Sequence, residues 1–154
     1  MNYWLMKTEP SSFSIDDLKA QKSTLWDGIR NYQARNFMMN DMKAGDQILF
    51  YHSNADPAAA VGIAQVSGRA EPDLAALDPK SKYFDPKATP GNPIWYCVRI
   101  KFKKKFRRAV SLEEMKNHKG LQEMPLLRKG NRLSVQPVGQ KEFEIVAALG
   151  DSKP

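Results

Sequence analysis

A chain of 154 residues that is 42% hydrophobic and 27% charged has room for one domain with a real core, and excludes disordered, collagen-like and coiled-coil classes. Its 24 Lys+Arg against 17 Asp+Glu leave a formal net charge of +7, which biases the partner list toward phosphates. One cysteine, Cys97, and two histidines, His52 and His118, exclude a disulfide framework and a multi-cysteine or His-rich metal cluster.

No cofactor is therefore expected, and a reducing, cytoplasmic compartment is the natural home. Residues 1–10 carry Lys7 and Glu9 and lack the apolar core of a signal peptide. The apolar runs, such as residues 145–149, are too short to span a bilayer, so no membrane partner is expected.

In chain order, residues 2–7 read as a buried strand ended by Pro10. Ser14 followed by Asp17 is a capping signal for a short helix through Leu18, and residues 24–26 read as a brief strand. Asn31 can cap a helix through Met42, with Phe37, Met38 and Met42 as its apolar stripe. Gly45-Asp46 marks a turn into a strand over residues 47–52, and residues 59–66 form another. Pro79, Pro86, Pro90 and Pro93 make residues 78–93 a long ordered loop.

From residue 94 to 106 the pattern alternates: Ile100, Phe102 and Phe106 fall on one face, and Arg99, Lys101, Lys103, Lys105 and Arg107 on the other. Ser111 with Glu114 caps a helix through about Asn117, with Gly120 as its stop. Residues 133–138 read as a short strand broken by Pro137, and residues 139–149 as a closing helix. Five to six strands with short helices between them predict an α+β fold around a small barrel, as a single domain over residues 1–150 with a tail at 151–154.

No nucleophile elbow, phosphate loop, dinucleotide fingerprint or metal-binding pair is present. Cys97, in an apolar strand context, reads as a structural thiol rather than a nucleophile partnered by His52. Two constellations stand out. Residues 26–36 gather two aromatics, two arginines, two asparagines and a glutamine into eleven positions. Arg, Asn and Gln side chains of this kind match the edges of a base and its phosphates. The alternative is a helix start whose arginines pair with carboxylates such as Asp27 or Asp41. The second constellation is residues 50–54, where Tyr51 and Ser53 share one face and Phe50 and His52 the other. Either these line a cleft mouth, or a Tyr–His pair is satisfied inside the core. The basic run at residues 101–108 is either a stripe for a nucleic-acid backbone or a solvated edge strand.

The segments at residues 3–10, 26–36 and 50–53, with further matches at 61–64, 83–87 and 132–138, resemble the EVE domain family in content, order and spacing over essentially residues 2–149. The resemblance implies a PUA-like barrel of about five to six strands, related to YTH and ASCH domains, in a stand-alone, bacterial-type member. It implies a non-enzymatic monomer that binds DNA or RNA carrying a modified base, a modified cytosine above all. Carried over by motif, the base pocket draws on Trp4, Lys7 and Thr8, on Trp26, Arg30, Asn31, Tyr32 and Gln33, and on Tyr51, His52, Ser53 and Ser134. Thr8 stands where a serine is more usual in the family. Lys7, Arg30 and Arg35, with Lys101, Lys103, Lys105 and Arg107, are the expected phosphate contacts. The alternatives are a factor for structured tRNA or rRNA, and an enzyme acting on a nucleotide with His52, Lys7 or Tyr51.

Overall fold

The computed structural model describes residues 1–153. Strand β1 (Tyr3–Thr8) leads into helix α1 (Ile15–Gln21), strand β2 (Ser23–Trp26) and helix α2 (Tyr32–Asn36). Strands β3 (Gln47–His52), β4 (Ala59–Val66), β5 (Glu71–Pro72) and β6 (Tyr96–Ser111) follow, then helix α3 (Leu112–Lys116), strand β7 (Val135–Val138) and helix α4 (Gln140–Asp151). The strands form one mixed sheet in the order β2-β6-β4-β3-β1-β7, with β5 added to β6. Only β1 and β3 run parallel; the other pairs are antiparallel. This is an α+β fold, whose seventh strand is the two-residue β5.

The strand period of two puts apolar residues on both faces of the central strands. Trp4 and Met6 of β1, with Ile48 and Phe50 of β3, pack under α1 and α2 beside Trp26, Val98 and Ile100. Leu5, Leu49 and Tyr51 point the other way, onto Phe106, Val110, Phe143 and Val146 of β6 and α4. Both faces are covered, so β1 and β3 read as continuous hydrophobic runs rather than alternating ones. Removing a fully buried ring such as Phe50 costs about 3–5 kcal/mol by the usual large-to-small measure.

Local chemistry sets most of the boundaries. Ser14 Oγ accepts from the Asp17 N–H (3.1 Å) and the Asp17 carboxylate accepts from the Ser14 N–H (2.8 Å), a reciprocal cap. Asn31 Oδ1 accepts from the Ala34 N–H at 3.0 Å. Ser111 Oγ accepts from the Glu114 N–H at 3.1 Å.

Several expectations need correction. The helix begun at Asn31 does not continue regularly to Met42: it ends at Asn36, and Phe37–Asp41 widen into a π-turn closed by the Met42 N–H on Phe37 O (2.9 Å). That turn lays Phe37 on Trp4, with ring centroids 5.4 Å apart. β6 starts two residues late, because Ile94 holds a positive φ of 63°, and ends five residues late, because β4 keeps pairing through Ala59↔Ser111. Gly120 does not stop α3, which ends at Lys116 with Asn117 as its C-cap; it lies in a 3-10 turn at Lys119–Leu121, packed against Ile145. Pro137 does not break β7: it sits exposed on an edge strand, where its missing N–H is tolerated. Helix α4 runs one residue past the expected boundary at 150, and Asp151 pairs with Lys104. No helix among the described residues is long and apolar enough to cross a membrane.

Candidate binding pocket

A cavity of about 570 Å³, within the size range of small-ligand sites, opens between the C-terminal end of β1, strand β2 and the loop at Tyr83. Lys7, Thr8, Phe13, Trp26, Asp27 and Tyr83 contribute to its lining. Trp26 is almost buried and meets Phe50 and Phe13 edge-on, at 5.6 and 6.2 Å between centroids. The indole is thereby fixed by the core rather than by a ligand. The Thr8 hydroxyl donates to Phe13 O (3.0 Å), tying β1 to the turn that carries Phe13.

The opposite wall is held by a buried carboxylate. Asp73 Oδ2 accepts from the Gly28 N–H (2.8 Å) and from Arg30 Nη1 (3.0 Å), while Oδ1 caps the following turn through the Ala75 N–H (2.9 Å). Arg30 also donates from Nε and Nη2 to Tyr83 O (3.0 and 2.8 Å) and from Nη1 to Ile29 O (2.8 Å). Residues 26–30 and the loop through Tyr83 are thus stitched together across long sequence separations. Gly28, at a φ of +82°, permits the close approach of the Tyr83 ring.

Four charged groups of the lining, Lys7, Glu9, Asp27 and Lys82, have no ion-pair partner among the described residues. Glu9 accepts from Asn54 Nδ2 (2.7 Å) and Lys82 stands 5.0 Å from the Tyr83 centroid, which leaves Lys7 and Asp27 without a side-chain partner. Partial burial lowers the Lys7 ammonium from its ordinary value of 10.5. Asp27 sits at the mouth, exposed as a residue; desolvation of its carboxyl first, and repulsion by Asp73 second, raise it above 3.8. A cation and a carboxylate left open beside aromatic rings offer a donor and an acceptor to a planar polar ligand.

Of the residues expected to form the site, Lys7, Thr8 and Trp26 line this cavity. The rest stand elsewhere, and the reasons are local. Trp4 is 3% exposed and its indole N–H donates to Asp46 Oδ2 (3.0 Å), on the core side of β1. Arg30 donates to Asp73 and to two carbonyls, and so builds the wall. Asn31 caps α2, and Gln33 is exposed on that helix. Tyr32 is outside the cavity, stacked on Trp95 at 4.8 Å. Tyr51 is buried in the other core. His52 Nε2 accepts from the Ile15 N–H (3.2 Å), completing the α1 cap, and the Ser53 N–H donates to Thr8 O (2.9 Å). Ser134 accepts the Lys7 N–H through its backbone carbonyl, at 2.8 Å.

The expected phosphate contacts divide as well. Lys105 pairs with Asp16 (2.8 Å), and Arg107 reaches Asp151 O at 3.5 Å. Lys101 and Lys103 are exposed and have no ion-pair partner among the described residues; the register Trp26↔Val98 and Ser23↔Lys101 sets Lys101 on the sheet face opposite Trp26, and Lys103 falls where the register shifts between Phe102 and Lys104. Arg35 donates to Ile94 O (2.9 Å) and to Asn36 Oδ1 (3.1 and 2.8 Å), with no carboxylate partner. Burial and the surrounding carboxylates push the Cys97 thiol up to about 12, far from a thiolate nucleophile.

Sequence reading missed Phe13, Asp27 and Tyr83 as lining residues. Asp27 lay inside the donor-rich segment and was read only as a partner for arginine. Phe13 carries no local signal; Tyr83 stands in the long loop and in the family-like segment 83–87, and nothing local shows that it meets Gly28.

The EVE domain family model matches residues 2–149. Mouse thymocyte nuclear protein 1 is 40% identical over 172 aligned residues, covering 99% of this chain and 75% of that protein. The crystal structure of human THYN1 protein in complex with 5-methylcytosine-containing DNA superposes with a TM-score of 0.92 at 38% identity, covering 100% of both chains. The YTH domain of Zygosaccharomyces rouxii MRB1 shares the fold, with a TM-score of 0.59 at 13% identity over 99% of this chain and 86% of that one.

Proposed function

The chain belongs to the EVE domain family, and we propose that it is a non-enzymatic reader of a modified base in nucleic acid, taking an unpaired 5-methylcytosine of DNA into the cavity beside Trp26. The observation that carries this reading is the human THYN1 structure with 5-methylcytosine-containing DNA, alike to this chain over its full length. The cavity here supplies what such a ligand requires.

A base stacked in a duplex cannot reach the cavity, so it must be flipped out, at a cost of a few kcal/mol. Stacking on an aromatic face returns about 1–3 kcal/mol per base, and Trp26, Phe13 and Tyr83 offer such faces. Asp27 accepts from the exocyclic amine of cytosine, and Lys7 donates to a ring acceptor. Neither is held in an ion pair, so the ligand satisfies them. Thr8 contributes through the wall it fastens. Burying one methyl is worth about 0.8 kcal/mol, so methylated and plain cytosine should differ by only about fourfold. Lys82 in the lining and Arg35 near Trp95 supply positive charge for the backbone. The reading includes a monomer in a reducing, cytoplasmic compartment, a placement resting on the single buried thiol of Cys97.

The test is fluorescence anisotropy at one fixed salt concentration, with single strands of DNA and RNA carrying cytosine, its 5-methyl, hydroxymethyl, formyl and carboxyl forms, or N6-methyladenine. The expected result is tightest binding to one modified cytosine, with Asp27→Asn and Lys7→Met each weakening it tenfold or more. Equal binding of all strands, unchanged by either substitution, would sink the pocket. The exposed Lys101 and Lys103 favour one second reading, a binder of structured RNA. It predicts affinity carried by those lysines and indifferent to base modification.

A further inference from the structure

Outside the cavity, one aromatic surface is left unused. Tyr32 is 58% exposed although it stacks on Trp95, with ring centroids 4.8 Å apart and planes 24° from parallel. Trp95 beneath it is fixed: the ring is 5% exposed and its N–H donates to Asp85 Oδ2 at 2.8 Å. The Arg35 guanidinium lies 4.8 Å from the Tyr32 centroid and 5.8 Å from that of Trp95. With the rings themselves 4.8 Å apart, these three separations form a nearly equilateral triangle. The guanidinium therefore stands beside the stacked pair and not across Tyr32 from Trp95, so the outer face of Tyr32 is open.

We propose that Tyr32, with Arg35 at its side, is a second nucleotide subsite, a ledge on which a base flanking the pocket base stacks while Arg35 meets the adjoining phosphate. Three observations select a nucleotide as the occupant. The ledge is a preformed flat ring, which any base can cover. Arg35 has no carboxylate partner and so keeps N–H groups and full charge for an anion. The ledge is also joined to the cavity wall, because Arg30 sits 5.2 Å from the Trp95 ring and 5.5 Å from the ring of Tyr83, which lines the cavity. A strand with one base in the cavity thus has an aromatic surface close by for its neighbour. This inference rests on the pocket reading for the identity of the strand, while the ledge itself is a separate surface.

The experiment measures binding of three probes to the full chain: 5-methyldeoxycytidine monophosphate, a single-stranded trinucleotide with 5-methylcytosine between two thymines, and the same strand with either thymine replaced by an abasic sugar. The intact strand should bind wild type about tenfold more tightly than one of the two abasic strands. Tyr32→Ala should lose that tenfold preference and leave binding of the monophosphate unchanged, and Tyr32→Phe should keep both. Intact-strand binding unaffected by Tyr32→Ala overturns the ledge, as does a loss equal for the strand and the monophosphate. If strands bind through Tyr32 but show no preference for the modified base, the ledge stands and the pocket reading falls. If no probe binds, both fall.

Discussion

Gly28 and Tyr83 are packed so closely that a Cβ on Gly28 would stand 2.7 Å from the Tyr83 ring. The contact joins the turn after β2 to a loop more than fifty residues away, and it forms one wall of the cavity.

Gly28→Ala is expected to cost about 1–2 kcal/mol from the left-handed backbone alone, with the ring clash added to it. Tyr83→Ala in the same chain should recover the clash and not the backbone strain. Urea unfolding of the two single variants and the double variant checks this; strictly additive effects would show that the ring and the turn do not press on each other.

Asp73 is fully buried and Arg30 23% exposed as side chains, and the pair is 3.0 Å apart. Breaking it from the carboxylate side, by Asp73→Ala, leaves Arg30 and the Gly28 N–H without their acceptor and should cost about 3–5 kcal/mol in chemical unfolding. Arg30→Ala should weaken nucleic-acid binding by loosening the wall, while the slope of log affinity against log salt stays the same. A slope reduced by about one would instead identify Arg30 as a phosphate contact.

His52 gives the fold a pH dependence. Burial lowers its pKa from 6.5, against the smaller opposing pull of Asp16, and its Nε2 must stay unprotonated to accept from Ile15. The unfolded chain therefore binds the proton more readily than the folded one, and stability falls as pH drops below 6.5 toward the depressed native value. Thermal unfolding between pH 7.5 and 5 should show this fall in wild type and a shallower one in His52→Gln. Parallel curves would remove His52 from the explanation.

The lysines of β6 make a graded electrostatic prediction for the structured-RNA reading. Lys101→Gln with Lys103→Gln should then reduce the salt slope of RNA binding by up to about two, because neither lysine is neutralised by a carboxylate. Lys105→Gln should do less, since Asp16 already holds that ammonium at 2.8 Å. Equal effects at all three positions would mean that the ion pair opens on binding.

Short-range features were the legible ones. Ser14 with Asp17, Asn31, and Ser111 with Glu114 act within three residues, so their caps were readable from spacing. The alternation from Ile100 to Phe102 names the face of β6 on the Trp26 side, but the register shift between Phe102 and Lys104 turns Phe106 into the opposite core, and the far end of the strand needed β4 as a partner. The family was legible too, because the motif at residues 26–36 is specific as a string whatever each side chain does.

The sequence by itself determined an α+β domain, its capped helices and its kinship with a family that handles nucleic acid. Which donors face a ligand was decided only in three dimensions. Arg30 finds Asp73 and Tyr83 at separations of 43 and 53 residues, and His52 finds Ile15 at 37. The same chemistry that made these side chains look like base-readers makes them good partners for buried backbone, and folding supplied the backbone first. Lys7 and Asp27 are left over because neither gains an ion pair when the sheet and the loop at Tyr83 close: Arg30, the cation near Asp27, is committed to Asp73. A free donor or acceptor is defined by what fails to come near it, and that is a property of the fold.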